Sequence, residues 1–499
     1  MKQFMDEARK LIRTSSIANT GNEEIANFAN GILQDRGFRS DLQMVMHSVE
    51  NLSKRQFNVI GILGDPLVDR KTRKGLLLLS HLDTQVPGLR QAWTDTGGDP
   101  LELTAKDGFF TGLGVASGKL DFLCRVHAAQ RFRERKLKMP IYVVGTCGGS
   151  FGMFGARYLI QSRALNPSYT LVSEPTALQF VHAQKGCLEL RLTIGFQMVE
   201  RDARGFNRRV RIVSRGRTAH SSDPSQGEHA VLHALALLEE ASAAGFDLRF
   251  TSIEGGEWPT QVPDRCTLEL YTTSHQFEDF KLFFQHYAER TGRVQAFDLE
   301  TGGLNEAGVI FLPDAVFPCV LDVYSAFSQV QAQGSPDTSY PGPSLDGTSI
   351  NFSMMRQRLG GMDLHFDLRP EPNQDMAQLE AQIQSSVRAV AQKYPALNLT
   401  LHRERVIPAL SPNSDLTPST GSLFERSKRA ASAAGLNLEA VSISNATEAA
   451  LFQKAGFEVA SFGPGSPFGA MGSPNESVAV AELEQAMAFY DRLIEEVCL

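Results

Sequence analysis

The chain has 499 residues, 42% hydrophobic and 21% charged, which provides for a large core and excludes global disorder; at roughly 150 residues per domain it makes about three domain-equivalents, or two unequal domains. Lys and Arg number 49 against 56 Asp and Glu, and the net charge of -7 argues against a general nucleic-acid binder. Six cysteines without a C-x-x-C pair are too sparse for a disulfide framework and read as buried thiols of a reducing compartment. The N-terminus MKQFMDEARKLIRTSS lacks the apolar stretch of a signal peptide, and no apolar run approaches the ~20 residues of a membrane helix. The expectation is a cytoplasmic, multi-domain protein without membrane or nucleic-acid partners.

Met5–Ile12 and Glu23–Leu33 carry apolar residues at helical spacing, whereas Phe57–Leu63 and Gly75–Ser80 are short apolar runs of the kind buried strands show. Lys119–Arg133 reads as a helix, Pro140–Thr146 as a strand, Gly152–Gln161 as a helix, and Tyr169–Ser173 as a strand stopped by Glu174-Pro175. Strands alternating with helices imply a mostly parallel sheet covered on both faces. After Lys185-Gly186 the texture changes. Cys187–Gly195 and Arg209–Ser214 alternate like strands, and Glu228–Glu240 is a helix. Two strand-plus-helix units follow that look like rough copies of each other: Cys266–Thr272 with Gln276–Arg290, and Met362–Leu368 with Asp375–Tyr394. Their apolar stripes are core faces. Gln331–Thr348, rich in Gly, Pro and Ser, reads as an exposed loop or insertion. Helices near Gly421–Ala434 and Ala481–Val497 close the chain. The layout expected is an α/β domain of residues 1–186 plus 409–499, interrupted by an α+β domain of residues 187–408.

Leu76–Pro87 reads LLLLSHLDTQVP, so His81 and Asp83 follow a buried strand at the carboxyl edge of the sheet, where open α/β sheets bind ligands. His81 suits a metal ligand with Asp83 orienting its ring; a solvated H-x-D turn is the plain alternative. The basic run Arg201–Arg217 could hold an anion or nucleic acid, although a solvated strand-and-loop face fits it better. Gly148-Gly149-Ser150 has no assignable His and acid partners for a serine nucleophile.

Further segments occur in a fixed order: GLGVASGK (Gly112–Lys119), VGTCGGSFGMFGAR (Val144–Arg157), LVSEPT (Leu171–Thr176), RTAHSSDPSQGEHA (Arg217–Ala230), ATEAALF (Ala446–Phe452), FGPG (Phe462–Gly465) and SPNE (Ser473–Glu476). With the H-x-D segment, this set resembles the M20 family of metallopeptidases and deacylases, which includes acetylornithine deacetylase, succinyl-diaminopimelate desuccinylase and carboxypeptidase G2. The resemblance runs over nearly the whole chain. It implies an M20-type catalytic domain, a mixed, mostly parallel sheet with helices on both faces, carrying an inserted α+β lid that dimerises.

The resemblance also implies two zinc ions held by two histidines and three carboxylates, with a glutamate as general base on the bridging water. Carried over by position, His81 and Glu174 remain as ligands and Asp83 as the orienting residue. Ser117 stands at the bridging aspartate, Gly149 at the base, Ser150 at the next ligand, and Met471 or Gly472 at the second histidine. Asp121 and Cys147 are the nearest conceivable substitutes. His220 matches the lid histidine that reaches a partner's site and polarises the substrate carbonyl. Arg369, in Asp367-Leu368-Arg369, matches the arginine that binds a substrate carboxylate, while Thr260 replaces the lid asparagine. Gly463 and Gly465 could present backbone donors to a ligand. The expectation is a degenerate, catalytically inactive or impaired member that binds a small carboxylate-bearing ligand, such as an N-acyl amino acid or a peptide, as a homodimer without a tightly held cofactor. The alternatives are an active amidohydrolase with a rearranged Zn²⁺ site, and an interaction subunit pairing through its lid.

Overall fold

The computed structural model describes residues 2–18, 20–45, 55–64, 74–201, 205–304, 309–332, 347–412, 421–466 and 472–499. The chain forms two compact units, one of Met1–Gln184 with Pro408–Leu499, the other of Lys185–Ser339 with Ser344–Ile407; residues 340–343 lie outside the described residues. Most of the loop expected over Gln331–Thr348 also lies outside them, although the helix Val316–Ala332 extends into its first two residues.

The first unit is built on an eight-stranded mixed sheet in the order Arg39–Met44, Phe57–Leu63, Ile141–Thr146, Gly75–His81, Pro167–Val172, Glu458–Ser461, Phe180–Gln184, Ala440–Ile443. Its central strands Ile141–Thr146, Gly75–His81, Pro167–Val172 and Glu458–Ser461 are parallel neighbours. Gly75–His81 is buried at every residue, because a central strand covered on both faces has no polar side to show. Leu76 and Leu78 pack with Val59, Ile141 and Leu171 against the helices Lys2–Arg13, Glu23–Asp35, Gly118–Ala129, Leu423–Ala433 and Val480–Cys498. The helices Phe154–Ser162 and Ala449–Lys454 cover the other face. The helix expected from Gly152 starts two residues later, because Gly148, Gly152 and Met153 all adopt positive φ and make a left-handed turn there. All six cysteines are buried free thiols. No helix among the described residues is long and apolar enough to cross a membrane.

The second unit is built on an antiparallel eight-stranded sheet in the order Phe297–Leu304, Arg208–Arg215, Arg265–Thr272, Arg249–Gly255, Ser349–Arg358, Gly361–Arg369, Cys187–Gly195, Asn398–Ile407. The alternating residues Leu188, Leu190, Leu192 and Ile194 face a core shared with the helices Ala230–Ala243, Phe277–Arg290, Val316–Ala332 and Met376–Lys393. Phe327, Phe366 and Phe352 stack in its middle, with ring centroids 3.9 and 4.7 Å apart. The opposite face carries charges. Here the basic run of the sequence becomes a cross-strand ladder in which Arg209 pairs with Glu269 at 2.8 Å, Arg211 with Glu300 at 3.0 Å, and Arg215 with Asp298.

This sheet consists of two halves with the same plan. Arg208–Arg215, Arg249–Gly255, Arg265–Thr272 and Phe297–Leu304 form one half; Cys187–Gly195, Ser349–Arg358, Gly361–Arg369 and Asn398–Ile407 form the other. Each runs strand, helix, two strands, helix, strand, with its strands in the spatial order 4-1-3-2. The second strands of the two halves meet antiparallel at Gly255 and Met355. The two units that resemble each other in sequence are the third strand and second helix of each half.

Candidate functional site

The parallel strands Ile141–Thr146, Gly75–His81 and Pro167–Val172 end side by side, and the segments leaving them carry Cys147 to Ser150, Asp83 and Glu174. The Nδ1–H of His81 donates to the Asp83 carbonyl oxygen at 3.0 Å, which leaves Nε2 for other contacts. Thus the backbone of Asp83 orients the ring, and its carboxylate lies 3.6 Å from Nδ1. Both carboxylate oxygens are engaged elsewhere: Gly149 N–H donates to Oδ1 at 2.8 Å and Ser150 N–H to Oδ2 at 2.9 Å. Burial opposes charge on His81, but the hydrogen bond and charge of Asp83, with Glu448 and Glu174 beyond, outweigh it and raise its pKa to about 9. Burial likewise opposes charge on Asp83, but His81 and the two loop N–H groups hold it below the ordinary carboxylate range.

The buried Glu448 and the half-buried Glu174 are further carboxyls of this neighbourhood. Burial pushes each up to about 7 against the opposing charge of His81, and Thr146 Oγ1 donates to Glu448 Oε1 at 2.9 Å. Sequence reasoning gave Glu448 little weight. The available signal was a glutamate in an otherwise apolar, small-residue stretch, ATEAALF, where a buried acid is out of place unless a site needs it.

The loop Gly112–Ser117 is held by Glu476 of the SPNE segment. Its buried carboxylate accepts from Gly114 N–H at 3.0 Å, Ala116 N–H at 2.8 Å and Gly472 N–H at 3.0 Å. Ser117 then stands at the N-cap position of the helix Gly118–Ala129, without a side-chain capping bond. Only glycine fits at 118, where a Cβ would stand 1.8 Å from the carbonyl oxygen of His81. Asp121 is committed to Arg125 at 2.8 Å and to Tyr490 OH at 2.6 Å. Arg125, fully buried, donates to the carbonyls of Leu79, Leu171 and Phe462 at 3.1, 2.5 and 3.0 Å, and so ties together the strand ends beneath the site.

These contacts test the two-zinc centre that the family resemblance implies. Ser117, Gly149, Ser150 and Gly472 supply no carboxylate or imidazole. Of the two substitutes, Asp121 is neutralised by Arg125, and the Cys147 thiol is raised far above its ordinary pKa by burial and by the charges of Asp83 and Glu448. Gly149 is more than a missing base: a Cβ built there would lie 2.4 Å from His81 Cβ and 2.6 Å from its Cγ, so the loop closes onto the histidine. Gly472 packs similarly on Gln85, with a Cβ 2.9 Å from Gln85 Cβ, and Met471 lies outside the described residues. The described residues at these positions do not fit a pair of zinc ions. Among the described residues, the His, Cys, Asp and Glu ligand atoms that gather within 4.8 Å belong to Cys187, Glu189 and Asp367 of the other unit. There Arg369 pairs with Asp367 at 2.6 Å and Arg405 pairs with Glu189, so two guanidiniums already balance the carboxylates.

The expected substrate-binding residues depart from expectation in two respects. Arg369 is not a free arginine: it is buried, bonded to Asp367, and 3.3 Å from Ser221 Oγ, which itself donates to Asp367. Its Nε has no partner among the described residues, so the guanidinium keeps donor capacity. In the other unit the backbone donors of Gly463 and Gly465 are used internally, by Thr176 Oγ1 at 3.1 Å and Glu482 Oε2 at 2.6 Å. His220 Nδ1 accepts from Ser222 N–H at 3.1 Å, which places the proton of the neutral ring on Nε2. The residue is exposed on this unit, and desolvation of its ring together with the guanidiniums of Arg369 and Arg405 holds its pKa below the ordinary value.

The profile of Peptidase family M20/M25/M40 matches residues 77–496, and the chain belongs to that family. Acetylornithine deacetylase of Proteus mirabilis (strain HI4320) is 32% identical over 234 residues, 46% of this chain and 51% of that protein. The corresponding protein of Photorhabdus laumondii is 32% identical over 254 residues, 50% and 56% of the two chains. The chain thus spans about half the length of the curated relatives it matches. Among solved structures, aminoacylhistidine dipeptidase from Vibrio alginolyticus shares the fold with a TM-score of 0.63 at 17% identity, over 99% of this chain and 96% of that one. Human carnosine dipeptidase 1 does so with a TM-score of 0.55 at 15% identity, over 99% and 96%.

Proposed function

We propose that this protein is an M20-family member with lost or impaired hydrolysis that binds a small carboxylate-bearing ligand, an N-acyl amino acid or a peptide. The observation that carries this reading is Gly149. It has no side chain to accept a proton, its N–H is held by Asp83, and the room a base needs is taken by His81. Loss of a general base alone costs about 10²–10⁴-fold. The ligand class is supported by His220, whose Nε2–H suits a carbonyl, by the unused donor of Arg369, and by relatives named for acetylornithine and for dipeptides. Titration calorimetry with N-acetyl-L-ornithine and with N-acyl dipeptides, in EDTA, tests the proposal. Saturable binding that Arg369→Ala weakens, without product formation, is expected. Turnover that EDTA abolishes would reject it.

One observation favours a second reading, an active metal-dependent amidohydrolase with a rearranged site: the buried Glu448 adds a carboxylate to the surroundings of His81 and Glu174. One tightly held ion per chain together with chelator-sensitive deacylation would select it.

A further inference from the structure

We propose that Trp258 is a ligand-binding residue of the second unit, an aromatic platform that selects a ligand carrying a flat apolar group, an aromatic acyl group or side chain, beside its carbonyl. The proposal deepens the functional reading above and rests on it for the N-acyl amino acid or peptide class. The chain has two tryptophans. Trp93 is fully buried, the usual place for so large an apolar side chain, whereas Trp258 is 50% exposed. A single exposed apolar residue is ordinary on a protein surface. What sets Trp258 apart is the turn that carries it and the histidine beside that turn.

The turn follows the strand Arg249–Gly255 and is fixed at both ends. Gly256, at a φ of 78°, lies so close to the strand Ser349–Arg358 that a Cβ would stand 2.0 Å from the Ser353 carbonyl oxygen, and its N–H donates to the Arg265 carbonyl at 3.2 Å. Arg356 Nη2 donates to the carbonyls of Gly256 at 3.5 Å and Glu257 at 3.2 Å. Beyond the indole, Gln261 N–H turns back to the Trp258 carbonyl at 3.3 Å. An aromatic side chain on a backbone held in this way loses little freedom when a ligand covers it.

The outgoing arm of the turn pairs with the segment that carries His220. His220 and Gln261 form an antiparallel bridge, Ser221 N–H donates to the Thr260 carbonyl at 2.9 Å, and Val262 N–H donates to the Ala219 carbonyl at 2.9 Å. The exposed His220, whose Nε2–H suits a carbonyl, and the exposed Trp258 thus stand on adjoining, hydrogen-bonded segments. Thr260 is smaller than the asparagine that the family resemblance implies, which leaves the indole as the largest side chain of the turn. The charges at the turn balance: Arg217 pairs with Glu228 at 3.6 Å, and the guanidinium of Arg356 lies against the carbonyl of Glu257, whose carboxylate is exposed. No surplus of either sign among them favours an ionic group, so the indole selects by apolar contact and by stacking on another ring.

Hippurate (N-benzoylglycine) and N-acetylglycine differ only in the acyl group, and titration calorimetry compares them. Wild type is expected to bind hippurate about tenfold tighter. Trp258→Ala, which removes no core packing, is expected to bring the two affinities together, and Trp258→Phe to keep most of the preference. Equal binding of the two by wild type, or a preference that survives in Trp258→Ala, would overturn the proposal. A second measurement separates it from the carboxylate reading. N-methylbenzamide carries the ring and the amide carbonyl but no carboxylate, and its contact with the indole is read as saturable quenching of the fluorescence that wild type shows beyond Trp258→Phe. Such quenching with neither acid bound would reject the carboxylate-bearing ligand and leave the aromatic platform standing. Absence of saturable quenching by both hippurate and N-methylbenzamide would overturn the platform itself.

Discussion

Gly149→Ala is the smallest change that probes the closed loop. The new methyl would stand 2.4 Å from His81 Cβ and 2.6 Å from Cγ, where no flexible side-chain end can give way, because His81 is fixed at Nδ1 by the Asp83 carbonyl at 3.0 Å. Relief requires the loop to retreat, which lengthens the bonds from Gly149 and Ser150 N–H to Asp83, now 2.8 and 2.9 Å. Overpacking of this kind costs about 1–3 kcal/mol, and weakening two charge-assisted hydrogen bonds adds about 1–3 kcal/mol. The total of about 2–6 kcal/mol is measured by urea denaturation, followed through the transition in which Trp93 of the same unit is exposed. Stability within ~0.5 kcal/mol of wild type would refute the view that His81 occupies the space of the family's base.

Further outcomes follow from the same contacts. Restoring the acid pair with Gly149→Glu/Ser150→Glu is expected to lower stability at least as much as Gly149→Ala and to leave hydrolysis of N-acetyl-L-ornithine at background, as read by ninhydrin release of the amine. Arg125→Met removes the cation that balances Asp121 and bridges three strand carbonyls; breaking a buried pair from one side costs about 3–5 kcal/mol, read as a fall in the urea midpoint. Lys119 is fully buried with Nζ donating to Leu11 O and Thr14 O, and burial lowers its pKa from 10.5 to about 7 despite the nearby charges of Glu476 and Asp83. Because the folded value lies below the unfolded one, wild type should gain stability relative to Lys119→Met as pH rises from about 7 toward 10.5; a difference that is flat with pH contradicts this. The His220 ring should show a protonated Nε2 and remain neutral through pH 6.5 in ¹⁵N spectra, whereas titration at or above that pH would contradict its guanidinium-flanked setting.

Much of the fold was legible in the chain because burial leaves a plain mark. Phe57–Leu63 and Cys187–Gly195 form strands over the residues that their apolar patterns delimit. The helix Val316–Ala332 was not read, since Pro318 suggests a break and the segment carries a single charge, yet proline is tolerated in a first helical turn. At the site, residue identity showed what Ser117, Gly149 and Gly472 lack, but not what fills their places. Hydrogen-bond allegiance is set by tertiary position, so sequence left Asp83 as a histidine orienter when its carboxylate grips the loop, and left Arg369, Gly463 and Gly465 open when internal partners hold them. The two-half plan of the second unit's sheet emerged only from strand order.

The central claim is that the sheet rim cannot hold the dinuclear centre of an M20 hydrolase. Metal content per chain, measured by plasma mass spectrometry after purification in zinc and desalting, tests it most directly. The account predicts well below two equivalents and no deacylation that depends on zinc; two equivalents per chain, removed by EDTA together with turnover, would contradict it.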